Sequence, residues 1–131
     1  MNALHRWLKF NLVGAMGTAV QLAALALLSH GLHGHYLFAS AIAVELAVLH
    51  NFAWHIRYTW RDRHCAASMR TQLLRFHLSN GLVSLAGNVA LMRLLVERAH
   101  LPVLVANVTA IICCSALNFC IGDAWAFAAE A

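Results

Sequence analysis

The chain has 131 residues, 62% of them hydrophobic and 11% charged, with one proline and a mean hydropathy of +0.69. A soluble domain of this size needs a polar skin that this composition cannot supply, which excludes a water-soluble globule and makes lipid the outer solvent. The net charge of +4 does not point to nucleic acid, because the basic residues gather between apolar spans and do not coat one face.

A membrane helix needs about twenty largely apolar residues, and four stretches provide them: 7–28, 36–57, 74–96 and 102–125. Arg6 and Lys9 stand before the apolar run of the first stretch in the manner of a secretory signal, but no soluble domain follows, so it is read as a retained span. Along it Gly14, Gly17, Thr18 and Gln21 share one helical face, which suits close helix packing and also a polar strip. The turn at 29–35 carries His30, His33 and His35; no carboxylate or cysteine joins these imidazoles, and no metal site is expected.

In the second stretch Glu45 lies near mid-membrane, where a charged carboxylate costs at least about 2.5–3.5 kcal/mol. It is therefore expected to be protonated, paired or facing a wet cavity. Glu45 and Asn51 fall about 120° apart on an ideal helix, so they are expected on different faces. The stretch ends in Asn51-Phe52-Ala53-Trp54-His55-Ile56-Arg57-Tyr58-Thr59-Trp60, and a polar link at 61–71 follows. The third stretch opens on Arg75-Phe76 and carries Gly81, Ser84 and Asn88 at places matching those of the first. After a turn at 97–101, Pro102 is expected in the first turn of the fourth helix, where its missing N–H does no harm. Cys113, Cys114 and Cys120 are expected as small apolar side chains without disulfides.

The chain repeats itself. Asn51-Phe52 and Asn118-Phe119 lie 67 positions apart, as do Trp60 and Phe127, Gln21 and Asn88, Ala39 and Ala106, and Ala43 and Ala110. Lys9-Phe10 and Arg75-Phe76 lie 66 apart, so one residue has been gained or lost near the start of the copy. A single transmembrane domain, 1–131, is expected: an all-α protein of two helical hairpins, 6–60 and 72–127, joined by the link. Arg57, Arg61, Arg63, Arg70 and Arg75 surround that link, against only Arg93 and Arg98 on the other side, so both termini and the link are expected in the cytoplasm. Two spans per copy make the repeat parallel. Trp7, Tyr58, Trp60 and Trp125 are expected at the cytoplasmic interface. There is no phosphate loop, no Asp-x-Asp pair and no nucleophile elbow, so neither an enzyme nor an ATP-driven pump is expected.

An Asn-Phe near the end of an apolar helix, an aromatic-Thr-aromatic close at Tyr58-Thr59-Trp60, and a Lys-Phe or Arg-Phe opening each hairpin resemble the GtrA-like family of small four-span membrane proteins, from about Arg6 to Phe127. The resemblance implies movement of polyprenyl-phosphate-linked sugars across the bacterial inner membrane for cell-surface polysaccharide synthesis or modification. This chain departs from the family's pattern. His55 and Ile56 stand where the family has a polar-basic pair, with the arginine at Arg57; Gln21 replaces a common acidic residue; and Gly122-Asp123-Ala124 has no basic residue. The first hairpin is therefore expected to dominate the site.

On this reading Lys9, Arg57 and Arg75 capture the lipid phosphate, because a guanidinium grips two of its oxygens at once. Gln21, Glu45, Asn51, Asn88 and Asn118 meet the sugar. The partners expected are the lipid-linked sugar, membrane lipid, a membrane glycosyltransferase and a second copy of the chain; no cofactor and no nucleic acid are called for. Two alternatives stay open: a small proton-coupled exporter of cationic compounds using Glu45, and a non-transporting subunit that positions a glycosyltransferase.

Overall fold

The computed structural model describes residues 2–31, 36–63, 65 and 67–129, with the side chains of 29–31, 36–38 and 103–104 outside the description. The described elements are helices α1 (Ala3–Gly31), α2 (Tyr36–Trp54), α3 (Met69–Leu82), α4 (Asn88–Arg93) and α5 (Val103–Ile121). One-turn π helices continue α2 over His55–Thr59, join α3 to α4 over Val83–Gly87, and extend α4 over Leu94–Arg98 and α5 over Gly122–Ala126. Four helical stretches are long and apolar enough to cross a membrane: Ala3–Leu28, Ala39–Thr59, Met69–Arg98 and Val105–Ala126.

The third of these is longer than hydropathy suggests. Ser68 caps its start, its Oγ accepting from the Thr71 N–H at 3.3 Å, while Gln72 Nε2 donates to the Ala67 carbonyl at 2.7 Å. Part of the sequence expected as polar link is thereby helical. Thirty residues rise about 45 Å, against about 30 Å of hydrocarbon, so the helix has room for polar ends outside the lipid core. At its far end the exposed Arg93 and Glu97 form an i,i+4 pair at 3.7 Å. Pro102 sits one place earlier than expected: it is the N-cap, with ψ at 139°, and the helix begins at Val103.

The chain forms two compact units, Met1–Asp62 and Arg63–Ala131. In the first, α1 packs on α2 through Arg6, Phe10, Val13 and Gly17, the i, i+4, i+7, i+11 face of a helix. The facing stripe is Ala39, Ala43 and Ala47, one small residue every fourth position. Small side chains let the backbones approach closely enough for dispersion to hold the helices in a solvent as apolar as leucine. The large residues point the other way: Leu4, Leu8, Leu12, Leu22 and Leu27 are all exposed.

The second unit has a matching stripe, Ala106, Ala110 and Cys114, 67 positions along. On α3, however, the buried Phe76, Ser79 and Val83 lie 66 positions from Phe10, Val13 and Gly17. Val83 opens the π turn Val83–Gly87, which takes up one residue more than an α turn.

Candidate functional site

In each unit the apolar hairpin ends in a π turn. His55–Thr59 closes with the Trp60 N–H donating to the His55 carbonyl at 2.8 Å, and Gly122–Ala126 with the Phe127 N–H donating to the Gly122 carbonyl at 2.9 Å. Single π turns within α-helices occur frequently at functional sites. Here each seats an aromatic ring beneath a cation from the facing helix. Lys9 Nζ lies 4.5 Å from the Tyr58 ring centroid, and the Arg75 guanidinium 5.5 Å from that of Trp125. The negative face of the ring holds the positive charge in place at the end of the span. Arg75 Nη1 is used further, donating to the Trp125 carbonyl at 3.1 Å.

Behind each cation an aromatic pair fixes the helix ends: Phe10 with Trp60 at 6.0 Å, and Phe76 with Phe127 at 5.9 Å. The first unit adds His55, stacked on Phe10 at 4.8 Å with its Nδ1 3.0 Å from Thr59 Oγ1. Gly122 holds the matching place in the second unit, which is tied down from outside. Arg63 Nη2 donates to Asp123 Oδ2 at 2.8 Å, and Nη1 donates to the carbonyls of Asp123 and Phe127. Carbonyls at a helix C-terminus lack intrahelical donors and carry partial negative charge, so a guanidinium is a natural cap. In the first unit Arg6 Nη2 donates to Asp62 Oδ2 at 3.1 Å. Burial works to raise the Asp62 carboxyl, but hydrogen bonds from its own backbone and from Arg6 outweigh it and hold the group below the usual carboxylate range.

Deeper in each hairpin an amide faces a small residue. Asn51 lies directly over Gly17, so closely that a Cβ at position 17 would overlap the amide, and His50 Nδ1 is 3.4 Å from Asn51 Oδ1. In the second unit Asn118 Nδ2 donates to Ser84 Oγ at 3.1 Å. The side-chain oxygens of Asn118 and Asn88 are buried without a hydrogen-bond partner.

Residues 9–127 match the family model described as GtrA/DPMS, transmembrane domain. The chain belongs to the GtrA/DPMS transmembrane-domain family. Membership, with the four apolar helices, makes it a multi-pass membrane protein of a family linked to lipid-linked sugar translocation or glycosylation. No curated protein gives a significant match to the chain.

In this GtrA/DPMS domain the residues expected from sequence fall as follows. Lys9 and Arg57 belong to the first unit, where Tyr58, neighbour of Arg57 on the same π turn, carries Lys9. Arg57 is exposed and, among the described residues, has no hydrogen-bond or ion-pair partner. Arg75 belongs to the second unit and is committed to Trp125. Gln21 is half-buried on α1, and Asn51 lies on the seam with Gly17. Glu45 is exposed on the other side of α2, two residues from Ala43 and hence about 160° around the helix. The carboxyl therefore does not line the α1–α2 seam. Asn88 and Asn118 come from α4 and α5, which pack on each other.

Trp60, expected among headgroups, is only 2% exposed, because it is the surface on which Phe10 and His55 pack. Cys114 is buried as expected, whereas Cys113 and Cys120 are exposed, and no disulfide forms among the described residues. His33 and His35 lie outside the described residues, as does the side chain of His30. Sequence reasoning did not find the Arg63 clamp on the second π turn. Its one signal was Asp123, an acidic residue where the first copy has none.

Proposed function

We propose that the protein is a flippase, or an essential component of one, that moves a polyprenyl-phosphate-linked sugar across the bacterial inner membrane for cell-surface polysaccharide synthesis or modification. Family membership supports the class of cargo. The observation that carries the reading is the cation held over an aromatic ring at the end of each apolar hairpin, at Lys9 on Tyr58 and Arg75 on Trp125. A lipid phosphodiester is anionic and sits at the depth where such interfacial aromatics sit. Of the three cations, Arg57 is the most available, since Arg75 already serves the Trp125 carbonyl. In the first unit Arg57 would bind two phosphate oxygens, with Lys9 adding a second charge; Arg75 would serve the hairpin end of the second unit by itself.

In this proposal both termini and the central link lie in the cytoplasm, Gln21 and Asn51 in the first unit and Asn88 and Asn118 in the second each offer amides to a sugar, and the isoprenoid tail stays in lipid. Glu45, on the outer side of α2, faces lipid, the sugar or a second copy of the chain. The protein is a carrier and not an enzyme, and a membrane glycosyltransferase is its natural partner. Fuel is not required, because an anionic lipid leaving a negative-inside cytoplasm gains about 2.3 kcal/mol per 100 mV for a full charge.

The test is reconstitution of the full chain into vesicles and measurement of the transfer of a glycosylated polyprenyl phosphate between leaflets. Transfer should be faster than in empty vesicles, and Arg57→Ala should slow it. Wild-type protein that leaves the rate unchanged, alone and together with its membrane glycosyltransferase, removes the proposal.

A further inference from the structure

The second unit contains a polar group whose hydrogen bonding the chain leaves unfinished. Asn118 is 9% exposed, its Nδ2 spent on Ser84 Oγ at 3.1 Å, and its side-chain oxygen has no partner. The side-chain oxygen of Asn88 is likewise buried without one. Ser84 lies within the π turn Val83–Gly87 and meets α5 through Asn118, and Asn88 begins α4, which packs on α5. Beside them Gly87 lies against Cys114, one helical turn from Asn118: a Cβ at Gly87 would stand 3.3 Å from Cys114 Sγ. Asn88 follows Gly87 directly on α4, and Asn118 lies one helical turn from Cys114 on α5, so both amides belong to the stretch where these helices pack, with the exposed Ser84 bonded to Asn118. Among the described residues of the first unit no such pair occurs; Asn51 is packed over Gly17 and has a His50 contact.

A buried amide oxygen without a donor is costly, and more so in hydrocarbon, so it calls for a partner brought from outside the chain. The partner's chemistry follows from what surrounds the site. Among the described residues the carboxylates of this unit are Glu97 and Asp123, both at helix ends and both facing arginine. A bound cation would therefore keep its full charge in a low-dielectric setting with no counter-charge. A hydroxyl carries no charge, donates to an amide oxygen, and accepts from an amide N–H should either amide be turned over. We propose that Asn88 and Asn118 form, with Ser84, a site in the second unit for the hydroxyl groups of a neutral sugar ring. The inference rests on the flippase reading and assigns sugar recognition to residues apart from those given the phosphate.

The test uses the full chain in vesicles of phosphatidylethanolamine and phosphatidylglycerol, with two fluorescent short-chain probes, a bare polyprenyl phosphate and the same lipid carrying one hexose. Asn88→Leu should slow transfer of the hexose probe by about tenfold, the loss expected for a buried hydrogen bond to a ligand. The bare probe should be affected no more than about twofold. Because the Asn88 oxygen bonds nothing in the protein, the melting temperature should hold or rise. Equal slowing of both probes, or none, overturns the site. So does a fall in melting temperature without hexose selectivity, which would mark a water-bridged structural amide. Transfer that needs sodium and loses that need in Asn118→Leu would mean a cation site and also overturns it. If wild-type protein moves neither probe, the flippase reading fails by itself, and binding decides the inference. The hexose probe should then raise the melting temperature of detergent-solubilised wild type more than the bare probe does, and Asn88→Leu should lose the difference. No difference in wild type overturns the site.

Discussion

Two glycines three residues apart on α1 should respond to the same substitution with opposite signs. At Gly14 nothing lies within 4 Å of where a Cβ would stand, whereas at Gly17 the added carbon would overlap Oδ1, Nδ2 and Cγ of Asn51. Gly14→Ala should collect the helix-propensity gain alone, up to about 1 kcal/mol. Gly17→Ala has the same gain set against overpacking of about 1–3 kcal/mol, because the short Asn51 side chain cannot withdraw without leaving the seam or parting the helices. The two variants should therefore differ by about 1–3 kcal/mol, with wild type between them. Unfolding in a denaturing detergent titration, followed by helical circular dichroism, reads that difference directly. Gly17→Ala made in an Asn51→Ala background should lose most of its cost, since the atoms it strikes are gone, and the cycle should show a coupling of about 1 kcal/mol or more. Equal stability of Gly14→Ala and Gly17→Ala, or a double variant whose effects simply add, would refute the packing of Asn51 on Gly17.

Removing Arg63 should loosen the second π turn specifically. Its guanidinium is under a fifth exposed and serves one carboxylate and two carbonyls, so Arg63→Ala should cost about 1.5–3 kcal/mol and speed hydrogen exchange at 122–127. Arg63→Lys should not restore protection, because an ammonium cannot reproduce the fork. The Asp62 carboxylate is held below its ordinary range, so its contribution to the first unit is present above about pH 4 and is lost as pH falls through the depressed value. Acid titration should release the Arg6–Asp62 contact in that lower window, and Asp62→Asn should remove this acid dependence; a pH response unchanged in Asp62→Asn would refute the assignment. Replacing Tyr58 with Leu keeps an apolar anchor but removes the ring under Lys9. Cation–π contacts contribute about 0.5–1 kcal/mol at exposed sites, so transfer of the anionic lipid should slow by a few-fold and the fold should stay intact; an unchanged rate would show that Lys9 does not need its seat.

Some of this was legible from the chain because it is local or periodic. Hydropathy marks four stretches that must be helices in lipid, where backbone groups have no water to bond, and those helices are present. The 67-residue spacing pairs Ala39, Ala43, Tyr58 and Trp60 with Ala106, Ala110, Trp125 and Phe127; in the structure the four alanines, Trp60 and Phe127 are buried, and Tyr58 and Trp125 each lie beneath a cation. The seating of Lys9 on Tyr58 and of Arg75 on Trp125 was not read from the sequence, which assigned both cations to a lipid phosphate.

What the tertiary structure decided was each choice between nearly equal local alternatives. Whether a turn closes over four residues or five depends on which side chains must face the neighbouring helix, so no residue type announces the π turns at His55, Val83 or Gly122. The same packing buried Trp60, which composition alone assigns to headgroups, and spent Arg63 on the carbonyls of a turn sixty residues away. Glu45 looked the same in sequence whichever way it pointed; only the alanine seam of α2, by claiming the opposite face, set it outward. Sequence fixes which segments leave water, because that depends on the summed transfer energy of their own side chains. Which face each segment shows its neighbour is settled between helices, by shape.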